Sequence, residues 1–487
     1  MKEMIKIFHR FRSTDDLLDR HNELENQEIY FATPEELNDP MEGFKDIYWH
    51  GDEVAWENLF KHYLLCLERI CLLLILSGED HYIDKKDIPI FMNREDLPTL
   101  QYRELYKEIC KRFFENDLIG QYAKNLSTRS RPLRRDELLV HIDSLHPFAL
   151  DTIFGVYENH NLIKKQANFN TFQLMISKAI LDTKISNLID KAENEHADSE
   201  SFADKIYSAM MHIISQIKLI SGYNTSLAGD EKNKRFIFWE FPEAYIQEIE
   251  KMIYPDWYTA CFNAECSNSS VWAHYGDKHK GVCLSFNATS ENTDAFIKLH
   301  GISGWNNAGP TYGERHHSFH KIDYEKKYLE VDFFRSLGRL PIPVLTKYWY
   351  TNENGAKSAC ADDVFNSEEE WRKKYWGNFY KGITTKLRDW DYEKEYRLII
   401  TGFLEDFSNA VSRKLKYAFS DLDSITFGIK TPMKDKLRII KIIESKCKSE
   451  DRKGFKFYQA YYSKEKGCID RAQMGMIKFA DDKSTPS

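Results

Sequence analysis

The chain lacks long hydrophobic runs, a basic charge excess and any regular cysteine framework. Its longest apolar block, Ile70 to Leu76, is far short of the ~20 residues a helix needs to span a bilayer. That block reads as a core helix, and no membrane association is expected. The N-terminus, Met1 to Phe8, has no apolar signal region and runs directly into a strand pattern. The nine cysteines are odd in number, scattered, and form no CxxC pair. That argues against a zinc knuckle or thioredoxin-like centre and for free thiols in a reducing cytoplasm. Net charge is −8, so there is no global electrostatic footprint for nucleic acid, although a local basic groove is compatible with it. The one dense basic run, Arg129 to Arg135, has no interleaved aromatics and reads as solvated surface. Glycine and proline are sparse (22 and 13), whereas Tyr, Phe and Trp number 27, 31 and 10 in 487 residues. This is the make-up of a folded chain of two or three domains.

Three textures follow one another. Up to about residue 50, the pattern predicts a strand over Ile5 to Phe11 and an amphipathic helix over Thr14 to Leu24 entered through Ser13. A second strand over Glu28 to Ala32 leads to a helical turn capped by Thr33 with Pro34 in first position, closed by Asn38-Asp39-Pro40. From 52 to 250 the periodicity is helical, over Glu57 to Leu76, Leu100 to Phe114, Phe172 to Ile189, Phe202 to Ile220 and Pro242 to Met252. Asn194 to Ser201 and Gly222 to Lys234 read as polar loops. Strand texture returns at Trp257 to Phe262 and Gly281 to Phe286, with a short helix at Ser270 to Tyr275 between them. A helix over Ser367 to Tyr380, strands over Tyr392 to Thr401 and Ser424 to Ile429, and a frayed tail over Asp481 to Ser487 complete the expectation. The fold class is therefore α+β, with a discontinuous domain (1–50 and 255–480) interrupted by an all-helical insertion (52–250).

Trp390 to Ile400 carries the most unusual pattern. Read as an alternating strand, it places Glu393, Glu395 and Arg397 on one face. Charges in such a row need pairing or use. A Glu395–Arg397 ion pair closing a sheet end satisfies the pattern, and so does a carboxylate pair lining a cleft. On the first strand His9 and Phe11 share one face, and Arg10 and Arg12 the other. That arginine pair suits either a bidentate phosphate contact or the protective charges of an edge strand. Tyr30 to Pro34 with Asn38 and Asp39 forms either an anion or ribose site at a helix start, or simple capping. Val271 to Phe286 gathers Trp272, His274 and Tyr275 into a helix–turn–strand connection, where functional loops concentrate. His316 and His320 stand four apart but lack the glutamate of a zinc-protease helix, and no metal is expected.

Taken in order, these islands resemble one uncharacterised prokaryotic group, domain-of-unknown-function family 2971. The similarity rests on Arg10 to Arg12, Tyr30 to Pro40, Cys261-Phe262, Trp272 to Tyr275, Gly281 to Phe286 and Trp390 to Arg397. More distantly, the late strand is similar to the Glu-x-Glu strand of mono-ADP-ribosyltransferases. Those enzymes order a basic residue on an early strand, a polar or aromatic strand beside the cleft, and a catalytic glutamate. The corresponding residues here are Arg10 or Arg12 (or His9), then Tyr30 and Thr33, then Glu393 and Glu395; the middle element departs from the usual Ser-Thr-Ser signature.

That resemblance implies an ADP-ribosyltransferase-like split β-sheet core using NAD as a substrate. It implies Glu395 as the catalytic carboxylate, Glu393 as the group orienting acceptor or water, and Arg10 or Arg12 on the pyrophosphate. Tyr30, Trp272 or Tyr275 would stack on a ring, with His9, Thr33, Asn38, Asp39, His274 and Arg397 around the cofactor-binding site. ADP-ribosyl transfer or NAD cleavage in a toxin or antiviral defence setting is the leading expectation, with a protein or nucleic-acid acceptor and a protein partner held by the insertion. Two rivals stand beside it: a non-catalytic sensor or interaction protein, in which these charges are buried pairs and caps, and a nucleic-acid-processing enzyme, which the acidic composition disfavours.

Overall fold

The structure is a computed structural model. It describes residues 4–129, 131–164, 174–175, 177–178, 200–228, 232–291, 294–325, 327–402 and 407–479. The chain forms two compact units. The first comprises Met1–Phe44, Asp256–Tyr328 and Tyr380–Ser487; the second comprises Lys45–Pro255 and Leu329–Phe379. Residues 329–379, expected with the terminal segments, thus belong to the helical unit.

The first unit is built on a twelve-stranded sheet. Its strands are β1 (Met4–Arg12), β2 (Glu28–Tyr30), β3 (Trp257–Asn263), β4 (Val282–Glu291), β5 (Asp294–Asn306) and β6 (Gly309–Ser318). They continue with β7 (His320–Lys321), β8 (Glu395–Thr401), β9 (Lys414–Tyr417), β10 (Leu422–Phe427), β11 (Lys456–Ser463) and β12 (Cys468–Gln473). The main path runs β12-β11-β10-β4-β1-β3-β8-β7, and β9 joins β2 to β5. Pairing is antiparallel throughout except β10 with β11. β1 is therefore central, and the edge-strand explanation of its arginines does not apply.

Alternation along β1 explains its place. Phe8 points into a core with Phe262, Phe286, Leu284 and Ile425, and stacks on Phe319 at 3.9 Å. Burying each such phenylalanine contributes roughly 1.5–3 kcal/mol. The opposite face places Phe11 and Cys283 against helix α1 (Ser269–Tyr275) through Val271 and Trp272. Helix α2 (Met433–Ser449) seals Ile439 and Ile443 into the first core.

β1 pairs with β4 in an unbroken nine-residue register, from Met4 opposite Ser290 to Arg12 opposite Val282. Its pairing with β3 is a single couple, His9 opposite Asn263. Beyond His9 the two strands part, and Ala32 closes the far end of the gap by exchanging backbone hydrogen bonds with Thr259 at 2.8 and 2.9 Å.

Several expectations need correction. The helix expected over Thr14 to Leu24 is two pieces, Asp16–Arg20 and Glu23–Asn26, interrupted where Asn22 takes φ +50°. The alternating strand expected from Tyr392 starts only at Glu395. Arg388–Glu393 is a 3-10 helix, and Lys394 at φ +49° turns the chain into β8. The long hairpin β5–β6 was not anticipated. His316 packs on Phe296 at 4.3 Å and His320 on Tyr380 at 5.4 Å.

The second unit is mainly helical, with helices Glu53–Ser77, Leu100–Phe114, Arg135–Asn159, Glu200–Ala228 and Phe241–Ile249. Asp52 and Thr99 cap the first two through the N–H groups of Ala55 and Tyr102. Gly222 to Ala228, expected as loop, continues a helix. The helix expected over Phe172 to Ile189 and the loop over Asn194 to Ser201 lie largely outside the described residues, as does the tail. The basic run is not solvated: Arg129 and Arg131 converge on buried Glu137. Among the described residues, no helix is long and apolar enough to cross a membrane.

Candidate functional site

Beyond the His9–Asn263 couple, the gap between β1 and β3 opens into a cleft of about 350 Å³. One wall is Arg10, Arg12, Ser13 and Asp16, where β1 ends. A second is Tyr30, Ala32, Glu36 and Asn38, and a third is Thr259, Cys261 and Asn263 from β3. His274, Tyr275 and Asp277 close it from the end of α1, with Glu393 and Glu395 at the base. Residues separated by nearly the whole chain thus share one cavity.

Arg10 defines one end. It is 5% exposed; one of its terminal nitrogens donates to the Tyr30 carbonyl at 2.8 Å, and its plane lies over the Phe262 ring at 5.5 Å. No carboxylate stands within ion-pair distance of it among the described residues. Burial, and then the charge of Arg12, bring its pKa down to about 10. Arg12, by contrast, is held by Glu23, whose Oε2 accepts from its Nε at 2.8 Å. A buried guanidinium without an acid partner is an anion site in waiting.

The other end holds acids. Lys386 donates to Glu393 at 2.8 Å and lies 3.0 Å from Glu42 and 3.4 Å from Glu395. Arg397, fully buried, bonds Glu395 through Nε at 2.7 Å, Glu42 at 2.7 Å and the Ile383 carbonyl at 2.9 Å. Three carboxylates therefore surround two cations. Burial would raise Glu395, but Arg397 and Lys386 outweigh it and hold its pKa near 2. Glu393 goes the other way, raised by burial and by the charge of Glu395 against the pull of Lys386. Tyr275 donates its hydroxyl to Glu393 at 2.6 Å, and Asn263 donates its amide to the Glu393 carbonyl at 2.7 Å. Lys386, though buried, is driven upward by the acids around it.

The two glutamates stand in different surroundings. Both oxygens of Glu395 are committed to Arg397. Glu393 is paired with Lys386 and accepts the Tyr275 hydroxyl, and its pKa is raised by burial and by the charge of Glu395.

The remaining expected site residues divide clearly. Arg10, Arg12, Tyr30, Asn38, His274 and Tyr275 line the cleft with the two glutamates. His9 does not: it faces away, with Nδ1 3.0 Å from Ser285 Oγ, and burial lowers its pKa to about 4. Thr33 and Asp39 are turn formers, the Thr33 N–H donating to Glu36 and the Met41 N–H to Asp39. Trp272 is core, edge-on to Phe11 at 4.9 Å with its indole N–H on the Cys266 carbonyl. Arg397 supports Glu395 and does not line the cavity. The Tyr30 ring is engaged by His21, stacked at 5.6 Å, and by Arg413 at 5.2 Å.

Lys386 and Glu42 escaped sequence reasoning. Lys386 lies in a three-residue strand, Thr385–Leu387, and Glu42 in a turn after Pro40; neither sits in a pattern that marks it. Comparison with family models, curated proteins and solved structures finds no match to this chain.

Proposed function

We propose that the first unit is an ADP-ribosyltransferase-like domain that uses NAD, releasing nicotinamide and passing ADP-ribose to an acceptor or to water. The observation that carries this reading is the polarity of the cleft. One end has a buried guanidinium with no acid partner, and the other has one carboxylate more than its cations balance. NAD has the same polarity, a pyrophosphate anion joined through ribose to a pyridinium cation.

The chemistry follows from that match. As the bond from ribose C1′ to the nicotinamide nitrogen breaks, its electron pair leaves with nicotinamide and positive charge grows on the sugar. A carboxylate held there stabilises the transition state more than the ground state. Glu393, already paired with Lys386, takes the proton of the attacking hydroxyl or water. Arg10 holds phosphate oxygens, while His274 and Tyr275 supply ring surfaces. The order of early arginine, tyrosine strand and late glutamates, similar to that of mono-ADP-ribosyltransferases, supports the same reading. A toxin or antiviral defence setting rests on that analogy alone.

The locked Glu395–Arg397–Glu42–Lys386 network favours a second reading, a non-catalytic sensor in which these charges only fix the fold. Nicotinamide release from NAD, followed by chromatography in the full chain and in Glu393→Gln, separates the two. Release by the parent and a fall of at least a hundredfold in the variant supports the enzyme. Equal traces from two folded proteins remove it.

A further inference from the structure

We propose that the acceptor served by this cleft is a nucleic-acid strand, guided to it by a lysine ridge built from residues 277–281 and 428–434. The inference rests on the NAD-using reading of the same site. Its starting point is a strained turn at the cleft mouth. Asp277, Lys278 and His279 are three consecutive non-glycine residues at φ +45°, +52° and +71°. Such residues cost about 1–2 kcal/mol each and persist where their surroundings hold them.

The hold here is specific. Lys278 N–H donates to the Ala273 carbonyl at 3.1 Å and Gly281 N–H to Gly276 at 2.8 Å. The segment after β10 clamps the turn from outside, Lys430 N–H donating to the His279 carbonyl at 2.9 Å and Thr431 Oγ1 to Gly281 at 2.7 Å. A Cβ on Gly281 would meet the Arg12 carbonyl at 2.3 Å. The turn is thereby pressed onto the end of β1, beside the cleft.

The result is a ridge of exposed ammonium groups. Lys278 and Lys280 project from the turn, Lys430 is bonded to it through the backbone, and Lys434 follows at the start of α2. None of the four is within ion-pair distance of a carboxylate among the described residues. Asp277 shares the lip, and Asp435 is occupied by the Thr14 hydroxyl at 3.0 Å. In a chain of net charge −8, such a patch repays an anionic polymer. Aromatic surface favours nucleic acid over an acidic peptide: exposed His274 lines the cleft, and half-buried Trp390, with Lys386 over its ring at 4.5 Å, lies edge to face with it at 6.4 Å. Bases stack on such rings without sequence preference. In the transfer step a base nitrogen or sugar hydroxyl of the strand attacks C1′ and its proton passes to Glu393. The C1′–nicotinamide bond breaks with its electron pair leaving on nicotinamide.

Fluorescein-labelled single-stranded DNA and RNA 20-mers, titrated with the full chain from 50 to 300 mM NaCl, test the ridge. Lys278→Gln/Lys280→Gln/Lys430→Gln/Lys434→Gln is expected to bind at least tenfold more weakly, with a slope of log K against log salt shallower by about 3. Lys430→Gln/Lys434→Gln, which leaves the strained turn untouched, is expected to lose about half that slope. Biotinylated NAD should label the oligonucleotide. Nicotinamide release without strand binding, or label on protein alone, overturns the inference and leaves the NAD reading standing. Strand binding with no nicotinamide release under any condition removes the acceptor role together with that reading.

Discussion

Replacing Glu395 and Glu393 in turn by glutamine asks which carboxylate holds the fold and which does chemistry. Glu395→Gln keeps the shape but removes a charge that Arg397 contacts twice, at 2.7 and 3.1 Å. Arg397 is fully buried, and Glu42 and Ile383 alone would remain to it. Breaking a buried pair from one side costs about 3–5 kcal/mol. At 2–4 °C per kcal/mol for a unit of this size, the melting point of the first unit should fall by roughly 6–20 °C. Glu393→Gln differs because Lys386 keeps Glu42 and Glu395, and the amide oxygen still accepts from one of Tyr275 and Lys386. Its cost should be about 1 kcal/mol, whereas losing the acid–base group should slow nicotinamide release by roughly 10²–10⁴-fold. Calorimetry and single-turnover release, run on both variants, read the two effects separately. A Glu395→Gln protein that melts with the parent, beside a Glu393→Gln protein that turns over with it, would refute the assignment of both residues.

Arg10→Gln should melt no lower than the parent, because it removes a buried charge with no acid partner. It should weaken ADP-ribose binding about 10–100-fold, as loss of charged hydrogen bonds worth roughly 1.5–3 kcal/mol requires; calorimetric titration measures both. Trp272→Ala should cost about 3–5 kcal/mol by emptying the Phe11–Cys283 cluster, while exposed His274→Ala should leave the melting curve in place, a contrast urea denaturation resolves. The helical unit should weaken on acidification. Burial lowers His62 to about 4 and His146 to about 3 from an ordinary 6.5. Their stabilising effect is complete above pH 6.5 and is lost as pH falls toward those values. At pH 5 the two together remove about 4 kcal/mol, and melts of the parent and of His146→Gln at pH 7 and 5 should show the variant losing less.

What the sequence made legible depended on the range of the signal. Alternation in Ile5 to Phe11 located β1 to within a residue at each end, because the pattern of a buried strand is written in consecutive positions. Leu100 to Phe114 was bounded by its 3.6-residue period. The same logic failed at Tyr392 to Lys394, where Lys394 adopts a left-handed conformation that its side chain does not advertise. It failed again at His21-Asn22, where a helical period continued through a break. In the hairpin, β5 turns Ala295, Ile297 and Leu299 into the core, but β6 carries small, polar and aromatic residues with no apolar period to mark it.

A partly wrong strand can still name residues that the fold brings together. An unbroken strand would have put Glu393 and Glu395 side by side and about 7 Å apart on one face. The turn at Lys394 breaks that alternation, yet both acids converge on Lys386 because a buried ammonium with three acidic neighbours is satisfied only when they close around it. The charge count then does the remaining work. Two cations cannot neutralise three carboxylates, so the odd one must keep a proton or face a positively charged group. Glu393, the carboxylate that neither Arg397 nor a second cation claims, is the one left to do either.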